Sequence, residues 1–558
     1  MRLNYIWMGM VGMCLLMSSC KKNKENETNG IVFKATIEQA PDSRTSINPQ
    51  GTVGYINWSA GDQILINNGQ TSAIFTLTTG AGTGSAEFTT TDENFYETGS
   101  YVATYPNTAT INGSDEATFV LPNTQNVSNN PSSFAEGANP MVAVSTTNDL
   151  AFKNVCGGLC VPVQGWGTVS SLVLTSKTTS EKLWGTYTVN PLSNPTMNYS
   201  GNDGSNTLTL NCGGVTLQHN EVAEFYIVLP QNVLANGFTL NIMSGNTVLK
   251  TIETTSGAAV VERNVVKRIG TVTVPPEGST GFTFSTSATQ KVYFSHGNLQ
   301  YQACSGTWQF AGNQYDYVGD NPGNNTPEED RATQCDWIDL FGWGTSGVAG
   351  YSNHPESWQP WTSIAVNNQY YAYCDMNCSL SDNSGLADWG KNPVLNGGND
   401  ADYYQWRTPS IDEWVYVLRS RTVEQSPSQV LFAMANVAGV NGMIVLPDEW
   451  AASTYTFNTP NDILVHYNAN VISESVWANV FETNGAVFLP AAGDRDGISC
   501  ETQNTNGDYW SSTASVGQSA VNHAQQIYFC PDTEAYADYA LNSIRRKGRS
   551  VRFVINAD

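Results

Sequence analysis

Ile31-Val32-Phe33-Lys34-Ala35-Thr36-Ile37 alternates inward apolar and outward polar positions, the period of a strand with one face on a core and the other in water. A turn-rich segment at 39–44 follows. Next comes Thr52-Val53-Gly54-Tyr55-Ile56-Asn57-Trp58-Ser59-Ala60-Gly61-Asp62-Gln63-Ile64-Leu65-Ile66, which reads as two strands flanking a Gly-Asp turn. Further short strands are predicted at 73–77, 85–89, 100–105 and 117–121. Closely spaced short strands separated by turn residues predict a β-sandwich over 31–146.

The same texture resumes at Asp149-Leu150-Ala151-Phe152-Lys153. It continues through Leu183-Trp184-Gly185-Thr186-Tyr187-Thr188-Val189 and Glu224-Phe225-Tyr226-Ile227-Val228-Leu229-Pro230, and closes with Arg263-Asn264-Val265-Val266-Lys267-Arg268-Ile269 and a last strand at 270–274. This predicts a second sandwich over 147–274. Pro275-Pro276-Glu277-Gly278-Ser279 interrupts it, so 275–281 reads as a linker before a third domain, 282–558.

Composition agrees with a mainly β chain. Of the 558 residues only 13% are charged and 49 are glycine, which favours strands and turns over long helices. The net charge of −24 disfavours nucleic acid and anionic lipid as partners. From residue 280 onward there are 29 acidic and 12 basic side chains, and eleven of the fifteen tryptophans lie there too.

Arg2 and an apolar run at 5–17 precede Leu16-Met17-Ser18-Ser19-Cys20. The run is too short to span a bilayer and reads as an export signal over 1–19. Small residues directly before a cysteine resemble the lipobox of bacterial lipoproteins. That resemblance implies acylation of Cys20, where each buried methylene adds about 0.8 kcal/mol of membrane attachment. Residues 20–30, opening Lys21-Lys22-Asn23-Lys24-Glu25-Asn26-Glu27, form a polar tether.

Taken together, 31–274 resembles the fimbrillins of Bacteroidales, subunits of a lipoprotein-derived pilus. The lipobox, Arg44-Thr45, Trp58-x-x-Gly61-Asp62-x-Ile64, Leu183-x-Gly185-x-Tyr187 and Tyr226-Ile227-Val228-Leu229-Pro230 carry the resemblance. It implies two transthyretin-like sandwiches and subunits joined by donor-strand exchange at the outer membrane surface. Arg44 stands where such chains are cut by a protease, and cleavage there would free the 31–37 strand with its lipid anchor.

In the third domain, Trp406-Arg407-Thr408-Pro409-Ser410-Ile411-Asp412-Glu413-Trp414 has Ser410 and Glu413 at capping-box spacing and predicts a helix start. Trp414, Val417 and Leu418 share one face. This segment, Tyr509-Trp510-Ser511-Ser512-Thr513 and the closing Gly548-Arg549-Ser550-Val551-Arg552-Phe553-Val554 resemble an α+β C-type-lectin-like domain of the kind shared with formylglycine-generating enzymes, and the major paralogous domain of Fibrobacter and Bacteroidetes surface proteins. The late cysteine pair that holds copper in those enzymes is missing from 540–554, so the resemblance implies no catalytic residues here and no cofactor.

The five histidines are dispersed without zinc spacing, and Asn396-Gly397-Gly398-Asn399-Asp400-Ala401-Asp402 reads as a solvated turn rather than a Ca²⁺ loop, so no metal is expected. Trp358, Trp361, Tyr370, Tyr371 and Tyr373 are the candidate ligand-binding rings, since an aromatic face packs on the C–H face of a sugar. Trp414 and Trp510 read as core. Nine cysteines remain after Cys14 and Cys20. Cys374 and Cys378 are the leading disulfide candidates, with Cys335 a further one, whereas Cys156 and Cys160 read as buried thiols. The sequence thus points to a lipid-anchored pilus subunit, at the tip or a minor position, with an adhesive head that meets a surface glycan or protein; the alternative is a monomeric glycan-binding lipoprotein outside any pilus.

Overall fold

The computed structural model describes residues 30–38, 57–127, 134–135, 137–192, 194–255, 257, 260–320, 324, 335–348, 378–398, 405–497, 499–515, 523–531 and 540–557. The chain is mainly β, as its alternating segments predict. The first ten strands are β1 (Val32–Ile37), β2 (Gln63–Asn67), β3 (Ser72–Thr79), β4 (Ser85–Thr89), β5 (Tyr101–Tyr105), β6 (Thr110–Ile111), β7 (Ala117–Leu121), β8 (Thr124–Asn126), β9 (Met141–Ser145) and β10 (Asp149–Asn154). Seven of them close into one barrel in the order β1-β10-β9-β5-β2-β3-β4. Closure follows from β1, which pairs antiparallel with β4 on one side and parallel with β10 on the other.

The Trp58 to Asp62 motif explains itself in this barrel. Gly61 has φ +92°, a backbone state glycine reaches without penalty. That turn brings the Asp62 carboxylate back onto the Ser59 amide at 2.7 Å and onto the Tyr105 hydroxyl at 2.8 Å. Trp58, 1% exposed, packs edge to face on Phe88, Tyr105 and Phe152. One short motif therefore ties β2, β4, β5 and β10 together.

The second unit adds β11 (Gly157–Gly165), β12 (Thr168–Ser176), β13 (Gly185–Val189), β14 (Met197–Tyr199), β15 (Thr207–Thr216), β16 (Ala223–Leu229), β17 (Phe238–Ser244), β18 (Thr247–Glu253), β19 (Val266–Arg268) and β20 (Val272–Val274). Its core is an aliphatic cluster including Leu172, Leu210, Ile227 and Leu240. Strand pairing runs across residues 146/147. β10 completes the first barrel, whereas β7 pairs with β13 and β8 with β15, because both lie on sheets of the second unit. Alternation marks a strand but carries no information about which neighbour it joins.

In the region expected as a third domain, β21 (Ser279–Ser285) pairs with β22 (Lys291–Ser295). β22 also pairs with Val554–Asn556, so the second strand of the domain lies between its first and its last described strands. β23 (Leu299–Gln302) and β24 (Thr307–Phe310) form a hairpin. Helix α1 (Ile411–Val415) begins with the predicted capping box, Ser410 and Glu413 reciprocating. Arg407 adds a bidentate pair to Glu413 at 2.6 and 2.7 Å. Trp414, Val417 and Leu418 are buried together, and Trp510 is fully buried, as expected of core positions.

Cys335 is disulfide-bonded to Cys304, a partner the spacing did not single out, because β23, β24 and Trp337–Ile338 bring the two together only after folding. Cys378 is also in a disulfide, and Cys156 and Cys160 are buried free thiols. Trp166, on a Gly165-Trp166-Gly167 turn of the second unit, stacks on His219 and meets Tyr293 of β22 edge on, seating the second unit against the third domain.

Tyr105→Phe removes the hydroxyl donor from the buried Asp62 carboxylate. Leaving a buried acceptor short of a donor costs about 1–3 kcal/mol, so chemical denaturation of this variant should show that loss in the barrel's unfolding transition, with no change in the third domain's.

Candidate functional site around the first strand

β1 presents Phe33, Ala35 and Ile37 to the barrel core and Val32, Lys34 and Thr36 to the outside. Phe33 is fully buried, edge on to Phe75, Phe95 and Tyr101 at 5.1, 6.3 and 4.8 Å. Its register with β4 runs from Val32↔Thr89 to Thr36↔Ser85, and with β10 from Lys34↔Asp149 to Ile37↔Phe152. A cleft of about 510 Å³ runs along its middle, lined among others by Lys34, Ala35, Thr36, Ala86, Glu87 and Leu150. The strand is thus flanked by open volume along part of its length.

Past its last residue the strand is gripped by the end of β10 and by Arg263 of the second unit. The Glu38 amide donates to the Phe152 carbonyl at 2.8 Å, and the Asn154 side chain donates to the Glu38 carbonyl at 3.0 Å. The Glu38 carboxylate takes two bonds from Arg263, at 2.6 and 3.0 Å. Arg263 also donates to the Asn154 carbonyl at 2.8 Å. Around this pair Asn139, Asn154 and Asn264 form a chain of buried amides, at 2.6 and 2.7 Å. A planar guanidinium fork matches a carboxylate bidentately, which makes this a strong and directional tie.

Withdrawing β1 would bare two strand edges, a ring-lined hole and a half-buried guanidinium. Such a seam can be refilled only by another extended segment of matching pattern. Sequence reasoning found the strand through its alternation; it missed Arg263, which lies 225 residues from Glu38 and carries no local signal.

The predicted site residues Cys20, Arg44, Trp358, Trp361, Tyr370, Tyr371 and Tyr373 lie outside the described residues, as does the Asn399 to Asp402 part of the acidic loop. Of that loop, Asn396 is spent on the Phe310 backbone, bonding its amide at 2.7 Å and its carbonyl at 3.0 Å. Among the described residues no cluster of three or more His, Cys, Asp or Glu side chains gathers as a metal site.

Buried charges in the third domain hold loops. Asp388 accepts from the Gly390 and Thr408 amides and the Thr408 hydroxyl; burial raises its carboxyl despite them. Arg421, with Asp448, braces Val417, Leu431 and Leu446 carbonyls. Arg552, fully buried among Gln314, Asn298 and the His296 carbonyl, is lowered to about 10 by desolvation. Asp339 accepts from the Val318 amide at 2.6 Å and Asn324 at 2.8 Å, yet burial lifts it to about 6.

No protein-family model matches the chain, and no curated protein matches it. Solved structures do. A fimbrial protein of Bacteroides ovatus has 10% identity and a TM-score of 0.23, over 94% of this chain and 99% of that one. Two proteins named for cell adhesion, from Bacteroides ovatus and Bacteroides uniformis, have 11% and 14% identity with TM-scores of 0.30 and 0.27, each over 44% of this chain and 91% and 93% of theirs. All three scores are too low to establish a shared topology.

Asp339 sets a pH signature. Its folded carboxyl binds a proton more tightly than the unfolded one, so its stabilising contribution is complete at low pH and fades as pH rises through about 6. Linkage puts the difference between pH 5 and pH 7 at roughly 1 kcal/mol. Scanning calorimetry of wild type and Asp339→Asn at both pH values should show that increment in the third domain's transition for wild type, and its disappearance in the variant.

Proposed function

We propose that this chain is a lipid-anchored pilus subunit of the bacterial surface. Two β units form its arm, which accepts a strand from a neighbouring subunit in place of β1, and the third domain is an adhesive head. The single observation that carries this reading is the position of β1: one terminal strand, preceded by a lipobox-like segment, closes both open edges of the first barrel. Release of β1 after cleavage at Arg44 would remove the anchor and open the acceptor seam in one step.

A terminal or minor position in the pilus is assigned from the commitment of one strand of the third domain. Val554–Asn556 is committed to β22, and Val554 also bridges to Arg407, so this strand cannot be donated without opening the head's own core. Attachment is assigned to the head, although eight of its described tryptophans are buried as core. Rings that stack on a sugar must then come from elsewhere, and Trp358 and Trp361 with Tyr370, Tyr371 and Tyr373 supply them. The role is assembly and adhesion, without catalysis.

Ala35 and Ala86 are register partners across β1 and β4, within the spacing a disulfide can span. In cells displaying the chain, wild type should appear in SDS-resistant ladders. The oxidised Ala35→Cys/Ala86→Cys chain should stay monomeric, and reductant should restore the ladder. Ladders from the locked chain would overturn strand exchange, and monomer from wild type would favour the surface glycan binder instead. On a glycan array, Trp361→Ala should lower head binding about ten-fold, one aromatic stacking contact being worth about 1 kcal/mol or more.

A further inference from the structure

Strand exchange needs more than an empty groove, because a seam that accepts any alternating segment would capture wrong partners and slip in register. The seam around β1 has four fixed points along its length. The Phe33 position is a hole walled by Phe75, Phe95 and Tyr101. The Ala35 position faces Ala86 on β4 and Leu150 on β10 in register, with Ala35 itself 1% exposed. The Ile37 position faces Phe152. The fourth point is charged: Arg263, one residue beyond the last apolar position, holding a carboxylate with both of its terminal nitrogens.

Arg263 is 18% exposed at its side chain, and Glu38 is the carboxylate paired with it among the described residues. A partly buried guanidinium that loses such a partner loses two charge-assisted bonds while keeping much of its desolvation cost. The vacated seam is therefore not neutral about what refills it. We propose that Arg263 selects the incoming strand: the segment the seam accepts runs parallel to β10, in the order large ring, small residue, aliphatic residue at alternate positions, and carries Asp or Glu immediately after the aliphatic one. The carboxylate also fixes register, since a slip by one residue into the barrel would place it at the inward Ile37 position instead of on Arg263. This assignment rests on the strand-exchange reading and adds the chemistry of the partner to it. It also makes the acceptor site a joint property of both units, since the groove belongs to the first barrel and the charge to the second.

The test uses the full chain with residues 42–46 replaced by a sequence-specific protease site, cut after folding. Labelled peptides of residues 31–39, acetylated and amidated so that no terminal charge imitates a side chain, are offered in native, Glu38→Gln and Glu38→Lys forms. Bound label is read after gel filtration. Wild type should take up the native peptide about ten-fold or more over either variant, the fold-change expected for losing charge-assisted bonds of this kind. Arg263→Gln should erase the preference, and Arg263→Glu should reverse it toward the Glu38→Lys peptide. Equal uptake of all three peptides by wild type would overturn selection by Arg263 while leaving exchange standing. No uptake of any peptide by any cut chain, with the original strand still in place, would overturn exchange itself.

Discussion

A β-sheet cannot end in the middle of a domain without leaving backbone amides and carbonyls bare, and the arm of this protein is arranged around that constraint. β1 closes the first barrel at both of its edges at once. Its hydrogen bonds are backbone to backbone and so nearly indifferent to sequence. What makes the strand specific are the three side chains it turns inward and the residue that follows them. A closure made by one strand at the end of the folded unit is stable as long as some strand occupies it, and the identity of that strand is a separate matter, settled by Phe33, Ala35, Ile37 and Glu38.

That separation couples the two units. The amide chain through Asn139, Asn154 and Asn264 and the Glu38 to Arg263 pair meet where β1 leaves the barrel and where β10 hands the chain to β11. Hydrogen bonds in such a network reinforce one another in a low-dielectric setting, and a vacancy in it is correspondingly expensive. Occupancy of the seam is thus felt in the second unit, which in turn is seated on the third domain through Trp166 and Tyr293.

Much of this was legible in the sequence because much of it is local. β1, β3, β4 and β7 fall within a residue or two of where alternation puts them, the Gly61-Asp62 turn is encoded in five consecutive residues, and the capping box names the start of α1. The burial of Trp414 and Trp510 follows from their place on a helix face and in a strand. What escaped was pairing across distance. β7 joining β13 rather than the first barrel, Cys304 finding Cys335, and Arg263 finding Glu38 all depend on loops closing over 31 to more than 200 residues, and no periodicity reports them. The candidate site divides the same way: the strand was visible, and the residue that reads it was not.

The exchange of one strand for another is nearly balanced in backbone terms, since every ladder bond broken is remade, and side chains decide its direction. Refilling with a poor match would leave the hole behind Phe33 partly empty, and a residual cavity among rings costs about 24 cal/mol for each Å³ left unfilled. A ring-sized void alone would then outweigh the gain from one exposed ion pair. The Glu38 position adds to this by direction rather than by depth: the inward side chains reject strands of wrong size, and the guanidinium rejects strands of right size in the wrong register. At the other end the balance differs. Val554–Asn556 lies between β22 and Arg407, and its removal would unseat Val554 and Ile555, which belong to two separate cores of the head. The exchange proposed for β1 therefore has no counterpart here, because Val554–Asn556 is built into two of the third domain's cores.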